Sequence, residues 1–406
     1  MTSRTGWRSA VVLATAFATT VPLGAQNSNL QSPPPSSPSQ PTATGWLLIP
    51  SLALSSAWDD NVFVEGQGSN PQADLVNVVN PRIEGTYTGR LSMVTLDYSG
   101  AFLLYRDLTA LNSYDQHASV TAKRRLNKRV SIFASNTFAA VPTTELAELV
   151  GVPFVRTGST LDDAHAGIET ALSKRATLSV TYDFQYIAFG EDPTFASELH
   201  GGHGQGVTTS YRYKLSERTS VLADYRLQRA NVVETNELFT VQNGGVGIER
   251  RLTEVITAFG EIGIARLDTT SLADQTRTGP AVRAGITRRT PKSDFEAGYS
   301  RTFVPSYGFG GTTQNEEFTA SLYVPFSRRL YGRAGTALRR NEPLTPGVPP
   351  LRSFWLEGSF GYTVNPSLRI EAIYGGAHQE VDRPGGIVNR NRYGVQVLTS
   401  KPVRIH

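Results

Sequence analysis

Val94-Thr95-Leu96-Asp97-Tyr98-Ser99-Gly100-Ala101-Phe102-Leu103-Leu104 is the stretch that decides the fold. Its even positions are apolar or small, and its odd positions carry Thr, Asp, Ser and Ala. Strict period-two alternation means a strand with one apolar face and one largely polar face. The pattern returns at Leu178, Val180, Tyr182, Phe184 and Tyr186, set against Thr177, Ser179, Thr181, Asp183 and Gln185. It recurs from Phe318 to Val324, from Phe354 to Tyr362 and from Leu368 to Tyr374.

Short turns of similar composition join these strands in pairs. They include Leu126-Asn127-Lys128-Arg129, Leu172-Ser173-Lys174-Arg175, Leu215-Ser216-Glu217-Arg218 and Phe326-Ser327-Arg328-Arg329. Longer, varied loops separate the pairs at the other end. Short turns at one end and long loops at the other are the outer-membrane barrel pattern, with the short turns in the periplasm. The expected fold is therefore all-β, a transmembrane antiparallel up-and-down β-barrel. Eight tight turns give sixteen strands, and single strands at 46–57 and 389–399 bring the total to eighteen. Both faces near 253–266 carry Ile, Val or Phe, so sixteen strands is the alternative. A repeat of about 40 residues also suits a β-propeller, but propeller blades hold four short strands and these repeats hold two long ones.

Composition agrees. The 406 residues are 39% hydrophobic, and beyond the first 25 no run approaches the roughly 18 apolar residues of a spanning helix. A barrel escapes that criterion because only alternate residues meet lipid. There is no Cys, so neither a disulfide framework nor thiol chemistry is expected. Arg4 and Arg8, then an apolar stretch from Ala10 to Val21 and a small-residue exit at Leu23-Gly24-Ala25, read as a signal peptide over 1–25. Its loss leaves 37 basic residues against 35 acidic, too balanced for a nucleic-acid partner. Residues 26–45 are Pro/Ser-rich and read as a periplasmic tether, 46–400 as the barrel and 401–406 as a tail. Trp58, Tyr105, Tyr186, Phe189, Tyr211, Tyr213, Phe303, Tyr331 and Tyr362 fall near strand ends, as interfacial girdle residues do.

Trp58-Asp59-Asp60-Asn61-Val62-Phe63, closing the first strand, resembles the opening motif of the β-barrel porin 2 type of outer-membrane protein. The hairpins at 113–135 and 170–185 are similar to its repeats. The resemblance spans about 46–400 and implies an outer-membrane barrel, often associated with exopolysaccharide or capsule export. Such barrels usually end on an aromatic residue that the assembly machinery reads; here the last aromatic is Tyr393 and the chain ends Lys401-Pro402-Val403-Arg404-Ile405-His406.

Candidate chemistry is sparse. His117-Ala118-Ser119 with Asn136 has the residue types of an outer-membrane phospholipase, where His activates Ser. Facing argues against it. Ala118, Val120 and Ala122 form the lipid face and pair with Val130, Ile132 and Ala134, which sends His117 and Ser119 inward and Asn136 outward. His200 and His203, flanking Gly201-Gly202 near Glu191, Asp192 and Glu198, read as a solvated loop more readily than as a metal site. Asp59-Asp60-Asn61 reads as a turn rather than a calcium site. No enzyme, cofactor or metal is expected.

Charge is what the inner face carries. Alternation places Asp97, Asp183, Arg212, Asp224, Arg226, Arg283, Glu317, Arg333, Glu357, Arg369, Glu371 and Arg392 inward, with Glu169, Glu249 and Glu296. Such density is too costly for a dry core and implies a watery lumen, with most charges paired across neighbouring strands. The expected role is porin-like passage of small polar solutes, or the barrel of a polysaccharide export system. The alternatives are a structural or adhesive barrel with a filled lumen and, last, a hydrolase. Expected partners are outer-membrane lipid and lipopolysaccharide and the barrel-assembly machinery. Loop 140–160 is the segment expected to fold inward as a constriction.

Overall fold

The computed structural model describes residues 44–144, 151–190, 199–233, 237–270, 275–305, 307–308, 311–344, 347–382 and 386–405. The signal peptide, nearly all of the tether and the carboxylates Glu191, Asp192 and Glu198 lie outside the described residues.

The first strands are β1 (Gly45–Asp59), β2 (Asp74–Thr88), β3 (Ser92–Tyr105), β4 (Ser113–Arg125), β5 (Val130–Val141) and β6 (Ser159–Ala171). Next come β7 (Ala176–Phe189), β8 (Gly202–Lys214), β9 (Thr219–Val232), β10 (Glu237–Arg251), β11 (Ile256–Thr269) and β12 (Gln275–Thr290). The set ends with β13 (Ser293–Pro305), β14 (Thr312–Pro325), β15 (Leu330–Pro343), β16 (Leu351–Asn365), β17 (Leu368–Val381) and β18 (Ile387–Ser400). Each pairs antiparallel with the next, and β18 returns to β1 from Ser51–Ser400 to Asp59–Arg392. A short β19 (Val403–Ile405), beyond Lys401-Pro402, continues along β1 opposite Trp46–Leu48. The tail thus lengthens the seam. Closure leaves no open edge, which a backbone in hydrocarbon requires.

Eighteen full strands close the barrel, not sixteen. The ambiguity near 253–266 is settled by pairing: Val246 on β10 faces Ile262 on β11, so the even residues of β11 point out. Ile262 and Ile264 are accordingly among the most exposed apolar side chains, while Phe259 and Glu261 point in. With polar groups inside, the outer face is an apolar belt of exposed Leu, Ile, Val, Phe and Tyr, among them Leu54, Leu96, Phe102, Val180, Tyr225, Phe318, Phe360 and Val395. That exterior is the surface of a membrane-spanning barrel, because lipid covers such a surface without cost. Both termini of the closed sheet lie at the short-turn, periplasmic end.

The aromatic girdle is smaller than the sequence implies. Trp58, Tyr186, Tyr211 and Tyr362 are outward and exposed, but Tyr105, Phe303 and Tyr331 are buried. Tyr105 and Tyr331 have lumen-facing parity. Phe303 lies beyond Val282–Arg301, where β13 stops pairing with β12, and it packs with lumen-facing residues instead. Facing also separates the tryptophans. Trp46 and Trp58 share the lipid face of β1, while Trp355 sits inside against Phe154, with ring centroids 4.9 Å apart. Brominated lipid is therefore expected to quench the wild-type fluorescence strongly and to leave W7F/W46F/W58F, which keeps only Trp355, almost unquenched. Equal quenching of both would contradict the facing.

Candidate functional site: a charged lumen under an inward-folded cap

All twelve predicted lumen residues have inward parity, and most find a partner on the wall. Asp97 accepts from Arg82 at 2.6 and 2.8 Å. Arg212 donates to Glu249 at 3.0 Å, and Arg283 stands 3.8 Å from Glu261, which in turn lies against Asp224. Asp183 holds His165 at 2.6 Å, Thr208 at 3.1 Å and Arg226 at 3.7 Å. Glu371 takes Arg333 at 3.0 Å and the hydroxyl of Tyr331, beside which Arg369 stands. Glu317 pairs with Arg339 at 2.7 Å, Glu357 neighbours Arg333, and Arg392 lies near Asp59.

Exposure differs among these charges. Near mid-barrel, Arg226 and Arg283 are 36% and 39% exposed. Towards the extracellular end, Arg339 is 2% and its partner Glu317 1% exposed. The wall is accessible around Arg226 and Arg283 and closed around Arg339 and Glu317, and it is closed again around Glu371, 1% exposed, towards the periplasmic end.

Among the described residues, three inward-folded segments make the seal. The first is the predicted motif itself. Asp59 holds the buried guanidinium of Arg390 through both oxygens, at 3.0 Å to Nε. Asp60 accepts from the backbone N–H and side-chain amide of Asn391, at 2.6 and 2.8 Å. Asn61 accepts from Glu65 N–H at 2.9 Å and donates to the carbonyls of Glu65 and Asn389. These residues lock the β1–β18 seam and turn the chain into the lumen. Val62 then packs, fully buried, on Val76, Ala101, Leu103 and Tyr105. Val64 follows at φ 57°, a conformation that a β-branched residue reaches only when its surroundings impose it. The motif is thus a turn closed by side-chain hydrogen bonds and a salt bridge, the arrangement expected of Asp59-Asp60-Asn61.

The second segment is 151–158, part of the expected constriction, of which 145–150 lie outside the described residues. Phe154 stacks on Trp355 and donates its N–H to Gln379 Oε1 at 2.6 Å. Arg156 ties the cap together: it donates to Val62 O at 3.3 Å, to the Tyr105 hydroxyl at 3.2 Å and to Leu111 O at 3.0 Å, with its guanidinium 5.1 Å from the Tyr105 ring centroid. The third segment carries Tyr307 and Gly308. Tyr307 lies on β8, where Gly202 and Gly204 present no side chain; a Cβ at Gly202 would come within 2.8 Å of the ring. Gly308, at φ +96°, exchanges backbone hydrogen bonds with His200.

Several readings change here. His203 lies in a strand rather than a loop and points outward, and His200 is fastened by its backbone, so the described residues bring no His pair together. For the H-x-S set, Ala122 does face Ala134, but Val120 faces Asn136 and Ala118 faces Phe138. Neither Val130 nor Ile132 is a partner of these three residues, so the register differs from the expected one, yet the parity holds: His117 and Ser119 point in, and Asn136 points out to Asp162 at 2.5 Å. The three do not converge. Sequence reasoning passed over Asp163, His165, Arg339 and Arg390, although the alternation that placed Arg333 and Arg392 inward also places these. Arg156 carried no signal, since it lies in a loop without periodicity.

No known family's sequence profile matches the chain, and no curated protein does. Among solved structures, the chain is similar to OccAB3 of Acinetobacter baumannii, at 10% identity and a TM-score of 0.45, covering 88% of this chain and 99% of that one. It is similar to OpdK of Pseudomonas aeruginosa, solved with vanillate, at 12% identity and TM-score 0.45, over 88% and 99%. It is also similar to OccK9 (OpdG) of Pseudomonas aeruginosa, at 11% identity and TM-score 0.46, over 88% and 98%.

The seam lock gives a stability test. Asp59→Ala removes the carboxylate that holds the buried Arg390 guanidinium, and losing one partner of a buried ion pair costs about 3–5 kcal/mol. Urea unfolding of the bilayer-inserted protein should show that loss, and Asp59→Leu with Arg390→Met should recover most of it. No loss in the single variant would mean that the seam does not depend on the pair.

Proposed function

We propose that the protein is a porin-like channel for passive diffusion of small polar solutes, narrowed in its extracellular third by its own inward-folded segments. The observation that carries this is the half-exposed charge at mid-barrel, with Arg226 and Arg283 at membrane depth. A lumen packed shut at that level would have to desolvate both guanidiniums. An eighteen-stranded wall is also wide enough to hold an aqueous channel. Opposite charges alternate around it, so weak ion selectivity is expected.

A structural or adhesive barrel with a filled lumen is the second reading, and the buried apolar clusters that the cap segments form with the wall favour it. Polysaccharide export has weaker support. It rests on the resemblance of Trp58–Phe63, and those of its residues whose contacts are described serve the seam and the cap. An export barrel would also need the capped third to admit a polymer chain.

Planar-bilayer conductance separates the readings. The refolded wild type should open in discrete ohmic steps. Arg156→Ala releases the contacts to Val62, Tyr105 and Leu111, and should raise single-channel conductance about twofold as the cap loosens, since conductance follows the narrowest open section. Silence from both proteins, with heat-modifiable migration intact, would favour the filled barrel.

A further inference from the structure

The periplasmic turns hold a feature that solute passage does not use. The eight turns between strands at that end contain nine Lys or Arg and two Glu. Charge there is far from the balance found in the lumen, and the basic side chains of 128–129, 174–175 and 328–329 are all exposed.

These turns share a second property. Five begin with a large apolar residue, Leu126, Leu172, Leu215, Leu252 or Phe326, and each is 50–63% exposed. Strand parity sends every one of them outward. Leu126 continues the outward row of Arg124, Leu215 that of Tyr213, and Phe326 that of Val324. Phe326 stacks beside outward Phe360, with centroids 5.9 Å apart, and Arg329 donates to the hydroxyl of outward Tyr362 at 3.1 Å.

Local hydrogen bonding fixes this arrangement. In each four-residue turn the second residue, Asn127, Ser173, Ser216, Thr253 or Ser327, accepts a backbone N–H from two residues on. That side-chain-closed turn holds the apolar residue at the foot of the lipid-facing belt and presents the following pair below it. In three of the five that pair is basic, at 128–129, 174–175 and 328–329, whereas 217–218 is Glu-Arg and 254–255 Glu-Val. A rigid unit with an apolar residue outward and cations beside it matches a bilayer interface, where the apolar part enters the acyl edge and the cations meet phosphates.

We propose that this collar is a docking surface for the anionic phospholipid headgroups of the periplasmic leaflet, the three turns with a basic pair acting as its charged anchors. A soluble polyanion would use the cations but would leave the five apolar side chains in water. The apolar register with the belt therefore selects the lipid surface.

The test uses the full-length protein reconstituted in vesicles of mixed phosphatidylglycerol and phosphatidylethanolamine, with retained lipid identified by native mass spectrometry. Wild type should hold phosphatidylglycerol about threefold above its mixing ratio, as polybasic juxtamembrane segments do. The variant K128Q/R129Q/K174Q/R175Q should fall to the mixing ratio, and so should wild type in high salt. Leu126→Ser with Leu172→Ser and Leu215→Ser should also weaken retention. Undiminished enrichment in the glutamine variant or in high salt would overturn the proposal. Full enrichment in the serine variant, together with displacement of lipid by inorganic polyphosphate, would overturn it in favour of a soluble polyanion. If the glutamine variant fails to show heat-modifiable folding, the salt comparison on wild type decides alone.

Discussion

Everything in this molecule depends on one constraint: a backbone at membrane depth has no water to satisfy its N–H and C=O groups. The sheet must close, and β18 must meet β1 along nine consecutive residue pairs. Closure fixes parity, because one slipped residue on any strand would exchange its two faces. Leu, Ile and Tyr then have only lipid to meet, and Asp, Glu and Arg have only the lumen. The seam joins the two ends of the chain, so it is where the structure adds a lock. Asp59 and Arg390 bind each other out of water there, and Asp60 with Asn61 fastens the outgoing loop to β18.

The lock also starts the cap. Once Asn61 has turned the chain inward, Val62 and Val64 become anchor points for apolar packing inside a polar lumen. Arg156 holds the second inward segment to the first through a carbonyl, a hydroxyl and an aromatic face. Burying Val62 and Phe154 contributes roughly 1.5–3 kcal/mol each, which makes the inward position favourable without closing the wet lumen beneath. The result is an interior with partly exposed arginines at mid-height and a packed extracellular third.

Much of this was legible in the sequence, because the side-chain period of a strand is two and lipid reads only one face. Asp97, Asp183 and Glu371 could be placed inward from alternation alone, and so could the outward position of Asn136. The limits were equally physical. At 253–266 both faces are apolar, so only pairing with β10 showed that Ile262 and Ile264 face lipid. Tyr105, Phe303 and Tyr331 looked like interfacial aromatics because amphipathic rings suit both an interface and a capped lumen. His203 looked like a loop residue because Gly201 and Gly202 suggest a turn, whereas the glycines of β8 make room for the Tyr307 ring. The cap depends on contacts between segments nearly a hundred residues apart, as from Val62 to Arg156, and no local pattern announces those.

The central claim is an interior that is wet at mid-barrel and sealed above. The chain contains no cysteine, so single cysteines can be introduced without background. Labelling of the reconstituted protein by a membrane-impermeant thiol reagent, read position by position, tests the claim directly. Cysteine replacing Arg212, Arg226 or Arg283 should label fast, cysteine replacing Asn341 or Gln379 slowly, and cysteine replacing lipid-facing Val180 or Ile262 hardly at all. Equal rates at Arg226 and Gln379, or fast labelling at Ile262, would contradict the account.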